Sequence, residues 1–204
     1  MFEVRQTLIF EEWLGKLSDK RAVRKILQRI VRLEEGLFGD VRPIGEGLSE
    51  LRIDYGPGDR LYFAQRGRTL ILLLCGGSKK TQNSDIKRAK QLASLNGDLK
   101  MLETKPFDAA KYLDTPESQA ELLADALASG HAGYIANALG VIARARGMTE
   151  IAKEAGITRE ALYKSLSDDG DPKLSTLLGV IRALGMTLSV HPADSDSREA
   201  MAGD

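Results

Sequence analysis

Apolar residues recur along this chain with two different periods, and the change between them falls near residue 100. From Asp19 onward Ala22, Ile26, Leu27, Ile30 and Leu33 follow a helical spacing, with Arg21, Arg24, Lys25, Arg29 and Arg32 around the rest and Gly36 as the stop. Phe2–Thr7 suits a short strand and Phe10–Leu17 a short helix. Leu48–Tyr55, Arg60–Gln65 and Thr69–Cys75 are strand-like, separated by Gly56-Pro57-Gly58-Asp59 and Arg66-Gly67-Arg68. Both separators are turn signals, so a three-stranded antiparallel meander is predicted. The unbroken apolar run from Leu70 to Cys75 implies a central strand covered on both faces. Ser84–Leu95 reads as a closing helix, ended by Asn96-Gly97.

Beyond residue 100 the pattern is almost wholly helical. Thr115-Pro116 starts a helix as N-cap and first-turn proline, and Leu122, Leu123, Ala126 and Leu127 carry it to Gly130. A second helix covers roughly 132–146, and a last one carries Leu174, Leu177, Leu178, Ile181 and Leu184. Residues 186–191 suit a short strand, and the polar tail after Pro192 reads as disordered. Between these lies a tight helix pair, Met148 to Leu166. Ala152 is small where two helices cross, and Gly156 sits where the turn needs a positive φ. Ile151, Ile157, Leu162 and Leu166 fill the space between them. Thr158 caps the second helix, which presents Arg159, Glu160, Tyr163 and Lys164. That arrangement suits either a plain helical hairpin or a helix-turn-helix; the small Ala and the Gly at this spacing favour the second, spanning about 132–185 with its neighbours, with its second helix expected to meet base edges and phosphates in a major groove.

Composition narrows the classes. With 43% apolar and 28% charged residues the chain is globular, and no apolar run is long enough to cross a membrane. Acids near the N-terminus argue against an export signal, so a cytoplasmic location is expected. One cysteine and two histidines leave no disulfide and no expected zinc site, and no glycine-rich phosphate loop points to a cofactor. Residues 1–100 hold 19 Lys and Arg against 13 Asp and Glu, a balance of +6, whereas residues 101–204 hold 10 against 16, a balance of −6. Opposite fields can steer the halves together or let the basic one meet nucleic acid. Met101-Leu-Glu-Thr-Lys-Pro reads like the start of a second protein, which suggests two joined products, residues 1–100 and 101–204.

Candidate chemistry sits in the basic half. Arg52, Tyr55, Arg60 and Tyr62 lie on adjacent strands around one turn, and the next strand leads into Lys79 and Lys80. Arginines hold phosphate bidentately and offset charge that grows during phosphoryl transfer. Lysines add charge or serve as a base, and tyrosines stack on an unstacked base or move protons. Arg24 and Arg29 suit a phosphate-rich partner. Each residue also has an ordinary use: strand packing for the tyrosines, solvated charge for the lysines and helix arginines, and a helix cap or a pair with Lys80 for Asp85.

Two stretches carry a resemblance. Leu51-Arg-Ile-Asp-Tyr-Gly-Pro-Gly-Asp-Arg-Leu-Tyr-Phe63 and Leu73-Leu-Cys-Gly-Gly-Ser-Lys-Lys-Thr-Gln-Asn-Ser-Asp-Ile86 resemble the addiction-module killer proteins, a HigB-like branch of the RelE/ParE toxins. That resemblance implies an α+β fold with helices on a small antiparallel sheet, and metal-independent cleavage of mRNA on the ribosome by the substrate's own 2′-hydroxyl. It implies Arg52 and Arg60 on the phosphate, Lys79 or Lys80 as charge or base and Tyr55 or Tyr62 orienting a base, with Gln82 and Asp85 as further motif positions. Phe107-Asp-Ala-Ala-Lys-Tyr-Leu113, Ala138–Met148, Ala161–Ser167 and Pro172–Leu177 resemble the HigA-like antidotes, with an all-α Cro/repressor-type helix-turn-helix. This implies a dimeric operator-binding protein that neutralises the toxin half and represses its operon. Two alternatives keep parts of this picture: a gyrase-poisoning first half of ParE type, or a repressor whose first half is catalytically inert.

Overall fold

The computed structural model describes residues 1–95, 103–167 and 170–190. The Asn96-Gly97 helix end, the Met101 junction and the tail after Pro192 therefore lie outside the described residues. The first half opens with β1 (Glu3–Thr7), α1 (Leu8–Lys16) and α2 (Lys20–Glu34). Thr7 caps α1 through Phe10 N, and Asp19 caps α2 through Arg21 N and Ala22 N. Four strands follow, β2 (Val41–Gly45), β3 (Leu48–Arg52), β4 (Asp59–Arg66) and β5 (Leu70–Ser78). A 3₁₀ turn over Lys79–Thr81 leads into α3 (Gln82–Leu95). The second half supplies β6 (Thr104–Pro106), then α4 (Pro116–Ser129), α5 (Ala132–Arg146), α6 (Met148–Glu154), α7 (Arg159–Ser165) and α8 (Leu174–Ala183).

The predicted meander is the β3-β4-β5 core of a larger sheet ordered β2-β3-β4-β5-β1-β6. β1 runs parallel to β5, because α1 and α2 carry the chain away before the other strands form, and the remaining pairs are antiparallel. β2 is additional to the predicted elements. Its Pro43 cannot donate to a ladder, so it reads as loop, yet an edge strand tolerates it beside a register shift. The expected strand over 186–191 is absent from its described part, 186–190.

β6 joins the halves. Its three residues pair with Arg5, Gln6 and Thr7 of β1, so the acidic half completes the edge of the basic half's sheet. The larger core crosses the same boundary: Phe10, Ile26 and Ile30 pack in one cluster with Leu122, Leu123, Tyr134 and Leu139. A smaller cluster on the opposite sheet face joins Leu48, Tyr62, Ala64, Leu72 and Leu74 to Ala89 and Leu92 of α3. β5 is thus buried on both faces, as its unbroken apolar run requires.

Two glycines of β5 permit this layering. A Cβ on Gly76 would lie inside the Trp13 indole, and one on Gly77 would lie on the Asp85 carboxylate. Gly15 in α1 has open space around it. Chemical denaturation is expected to find Gly76→Ala destabilised by about 1–3 kcal/mol from overpacking, with Gly15→Ala neutral or slightly stabilised. Equal stability of the two variants would contradict this packing.

Candidate functional site

The sheet alternation places Glu50, Arg52, Arg60 and Tyr62 on one face, with Arg52 opposite Arg60 and Glu50 opposite Tyr62. Glu50 is only 1% exposed. Its Oε1 accepts from Gln82 Nε2 at 2.7 Å and from Tyr62 Oη at 3.2 Å, and lies 3.0 Å from Arg60 Nε. Its Oε2 accepts from Arg52 Nε at 3.2 Å. A carboxylate this deep persists because two guanidiniums and two neutral donors replace its water. Sequence reasoning missed Glu50, since nothing in Leu48–Arg52 says which side chain the helix behind the strand will cover.

Of the predicted residues, Arg52, Arg60, Tyr62 and Gln82 meet at this carboxylate. Lys79 and Lys80 are exposed on the adjoining 3₁₀ turn, where the backbone N–H of Lys79 donates to Gly58 O at 3.0 Å. Arg60 Nη1 donates to the same carbonyl at 2.9 Å. Tyr62 is a correction: it is fully buried, with its hydroxyl on Glu50, so it cannot stack on an incoming base. Burial and the nearby Glu50 push its pKa upward, so it keeps its proton. Tyr55 stands apart from Tyr62. It is half-buried against the larger core, and its ring lies 5.4 Å from the Arg21 guanidinium. Asp85 neither caps α3 nor pairs with Lys80. It accepts from Thr81 Oγ1 at 2.5 Å and fixes the start of α3 on that turn.

Arg24 and Arg29 are placed differently from the expectation of free phosphate binders. Arg24 Nε lies 2.9 Å from Glu121 of α4, and Arg29 donates to Phe38 O at 2.8 Å. Burial and the neighbouring Arg32 lower the pKa of Arg29. Arg32 grips Asp125 with two bonds of 2.9 and 2.8 Å, and Tyr134 Oη donates to Asp125 at 2.6 Å. Gln28 Nε2 donates to Glu121 O and Asn137 Nδ2 to Glu34 Oε2, each at 2.9 Å. The second half therefore covers α2 and the β1 edge, while Lys79 and Lys80 stay exposed. A cleft of about 240 Å³ beside this contact is lined by Lys25, Arg29, Arg32, Asp40, Arg52 and Asp125, among others.

In the second half, Gly156 has φ 73°, and Ile157 N returns to Ala152 O at 3.0 Å, which turns the chain sharply between α6 and α7. Thr158 caps α7 through Ala161 N. Leu162 is buried, whereas Arg159, Glu160, Tyr163 and Lys164 are exposed on the outer side. Arg159 lies over its own Tyr163 ring at 5.4 Å. Among the described residues no group of acids, histidines and cysteine is clustered to hold a metal ion, and no helix is long and apolar enough to cross a membrane.

Residues 12–94 match the family described as phage derived protein Gp49-like. Residues 103–192 match the family described as probable addiction module antidote protein. Two proteins of Haemophilus influenzae, each described as an uncharacterized protein, are also similar. One is 50% identical over 91 residues, covering 45% of this chain and 92% of that protein. The other is 42% identical over 89 residues, covering 44% and 92%. No solved structure matches the chain significantly.

Cys75 offers a check on the site's architecture. Burial, then the nearby Asp85, pushes its thiol up to about 12. Because the folded pKa is raised, the protonated thiol is favoured in the folded state. Its share of stability is intact below the ordinary thiol value of 9.0 and lost as pH rises toward about 12. At pH 8 a thiol reagent is expected to label Cys75 only as fast as the protein unfolds. Prompt labelling of the folded chain would contradict the burial.

Proposed function

Because the chain belongs to the toxin–antitoxin proteins, with a Gp49-like segment and an antidote segment in one polypeptide, we propose that its first half is an mRNA endoribonuclease of RelE type and its second half the neutralising, operator-binding antitoxin. The observation that carries the enzymatic part is the Glu50-centred arginine pair beside the exposed Lys79 and Lys80. A basic surface with a fixed guanidinium suits a phosphodiester whose charge grows during cleavage.

In the proposed reaction the 2′-hydroxyl of the RNA attacks the adjacent phosphorus. The O2′–P bond forms as the P–O5′ bond breaks, leaving a 2′,3′-cyclic phosphate and a 5′-hydroxyl. The 2′-hydroxyl proton leaves to a base, and the departing O5′ takes a proton. Arg52 offsets the phosphorane charge, and Lys79 and Lys80 supply charge or a proton carrier at the rim. Tyr55, outside the Glu50 cluster, is the tyrosine that remains for an RNA base. The ribosome would present the mRNA.

Neutralisation is proposed to act through α2. Glu121 and Asp125 occupy Arg24 and Arg32, which would otherwise face the phosphates of ribosomal RNA or mRNA. Operator binding is assigned to a helix-turn-helix built from α6 and α7, with Thr158 as cap and Arg159, Glu160, Tyr163 and Lys164 toward the DNA. Leu174 and Leu178, exposed on α8, suit pairing of two second halves on a two-fold operator.

Induction of residues 1–95 alone is expected to arrest growth and to create new mRNA 5′ ends, and Arg52→Ala is expected to abolish both. Arrest without new 5′ ends would redirect the toxin to gyrase. No arrest would leave a repressor with an inert first half. The whole chain is expected to retard its operator, with Arg159→Ala/Lys164→Ala at least tenfold weaker; unchanged retardation would move the DNA contact elsewhere.

A further inference from the structure

The two arginines at Glu50 are not equivalent. Resting on the RNA reading above, we propose that Arg52 is the guanidinium that touches the RNA phosphate, and that Arg60 is a positioning residue fixed beneath it by Glu50. The side chain of Arg60 is 9% exposed, whereas that of Arg52 is 26% exposed. Arg60 is held twice, by Glu50 at Nε and by Gly58 O at Nη1. Arg52 meets Glu50 through Nε, its inner nitrogen, and its next carboxylate is the exposed Asp40 at 4.0 Å. Water screens so open and long a contact, so the outer nitrogens of Arg52 remain available to an anion.

The carboxylate distributes its donors in the same sense. Oε1 accepts from Gln82 and Tyr62 and lies 3.0 Å from Arg60 Nε as an ion pair without a hydrogen bond, and Oε2 accepts from Arg52 alone. Withdrawing Arg60 toward a substrate would strip a buried carboxylate of its charge partner. Turning the outer end of Arg52 toward a phosphate need not break its Nε contact.

Arg60 has a second task in this scheme. Gly58 O accepts from both Arg60 Nη1 and the backbone N–H of Lys79. Glu50 and Arg60 therefore fix the Gly58 turn, and that turn fixes the lysine-bearing 3₁₀ segment. The ligand class is a single-stranded RNA phosphodiester, met by Arg52 and by Lys79 and Lys80 at the open rim.

The test uses the whole chain and a labelled single-stranded RNA with 2′-O-methyl groups, which cannot be cleaved. Binding is measured across a salt series, because the slope of log K against log salt counts neutralised phosphates, at about 0.7 per contact on a single strand. Arg52→Ala is expected to weaken binding about tenfold and to flatten the slope by about 0.7. Arg60→Lys is expected to keep the slope of the unaltered chain. Should Arg60→Lys fold poorly, Arg60→Gln, which leaves Glu50 and its Arg52 contact in place and supplies a neutral donor for Gly58 O, is expected to keep the slope as well. A slope that falls with the Arg60 variants, or that stays constant in Arg52→Ala, overturns the assignment and leaves the RNA reading standing. Absence of RNA binding by the unaltered chain overturns both.

Discussion

Arg24, Gln28 and Arg32 stand one turn apart along α2, and all three bond to Glu121 or Asp125, which are one turn apart on α4. Two helices with matching four-residue spacing thus meet edge to edge. The opposite edge of α2 is apolar, with Ile26, Ile30 and Leu33 buried in the shared core. The helix is therefore held from both sides at once: the sheet and α1 take its apolar face, and the second half takes its cations. Surface ion pairs contribute little, but Arg32 and Asp125 form a bidentate, partly buried pair that Tyr134 also joins.

From this contact follows the geometry of the rest. Once α4 is seated on α2, α5 follows through Tyr134 and Asn137, and β6 closes the β1 edge. Glu50 and Tyr62 face α3 on the other side of the sheet, whereas Arg52, at the end of β3, also lines the cleft beside α2 and Asp125. Seated in this way, the second half leaves Lys79 and Lys80 uncovered; under the proposed function it would act by occupying cations that a polyanion needs. The balance of +6 in the first half and −6 in the second has a local counterpart in the pairs at α2. The same pairing explains why a basic helix with a strongly apolar edge tolerates so many arginines on so few turns.

Much of the fold was legible in the residues. The helix start at Asp19, the caps at Thr115 and Thr158, the glycine at the α6–α7 turn and the apolar run of β5 all act locally, and local rules read them. β2 was hidden because Pro43 speaks against a strand everywhere except at an edge, and edge position is a property of the whole sheet. β6 was hidden for a similar reason, since a three-residue strand exists only by virtue of its partner. At the candidate site the arginines and lysines were visible as types, and Glu50 was not. Its importance depends on Gln82, brought in from 32 residues away, and on Tyr62, which burial turns from a base-stacking candidate into a hydrogen-bond donor.

The most direct measurement is growth, with mapping of mRNA 5′ ends, after induction of the whole chain carrying Glu121→Arg and Asp125→Arg. These changes reverse the charges on α4 and leave the Glu50 cluster untouched. If the second half restrains the first through α2, the altered chain arrests growth and cleaves mRNA, and adding Arg52→Ala silences it. If the altered chain folds, still retards its operator and leaves growth and mRNA intact, the restraint does not act through α2, and the proposed division of labour between the halves is wrong.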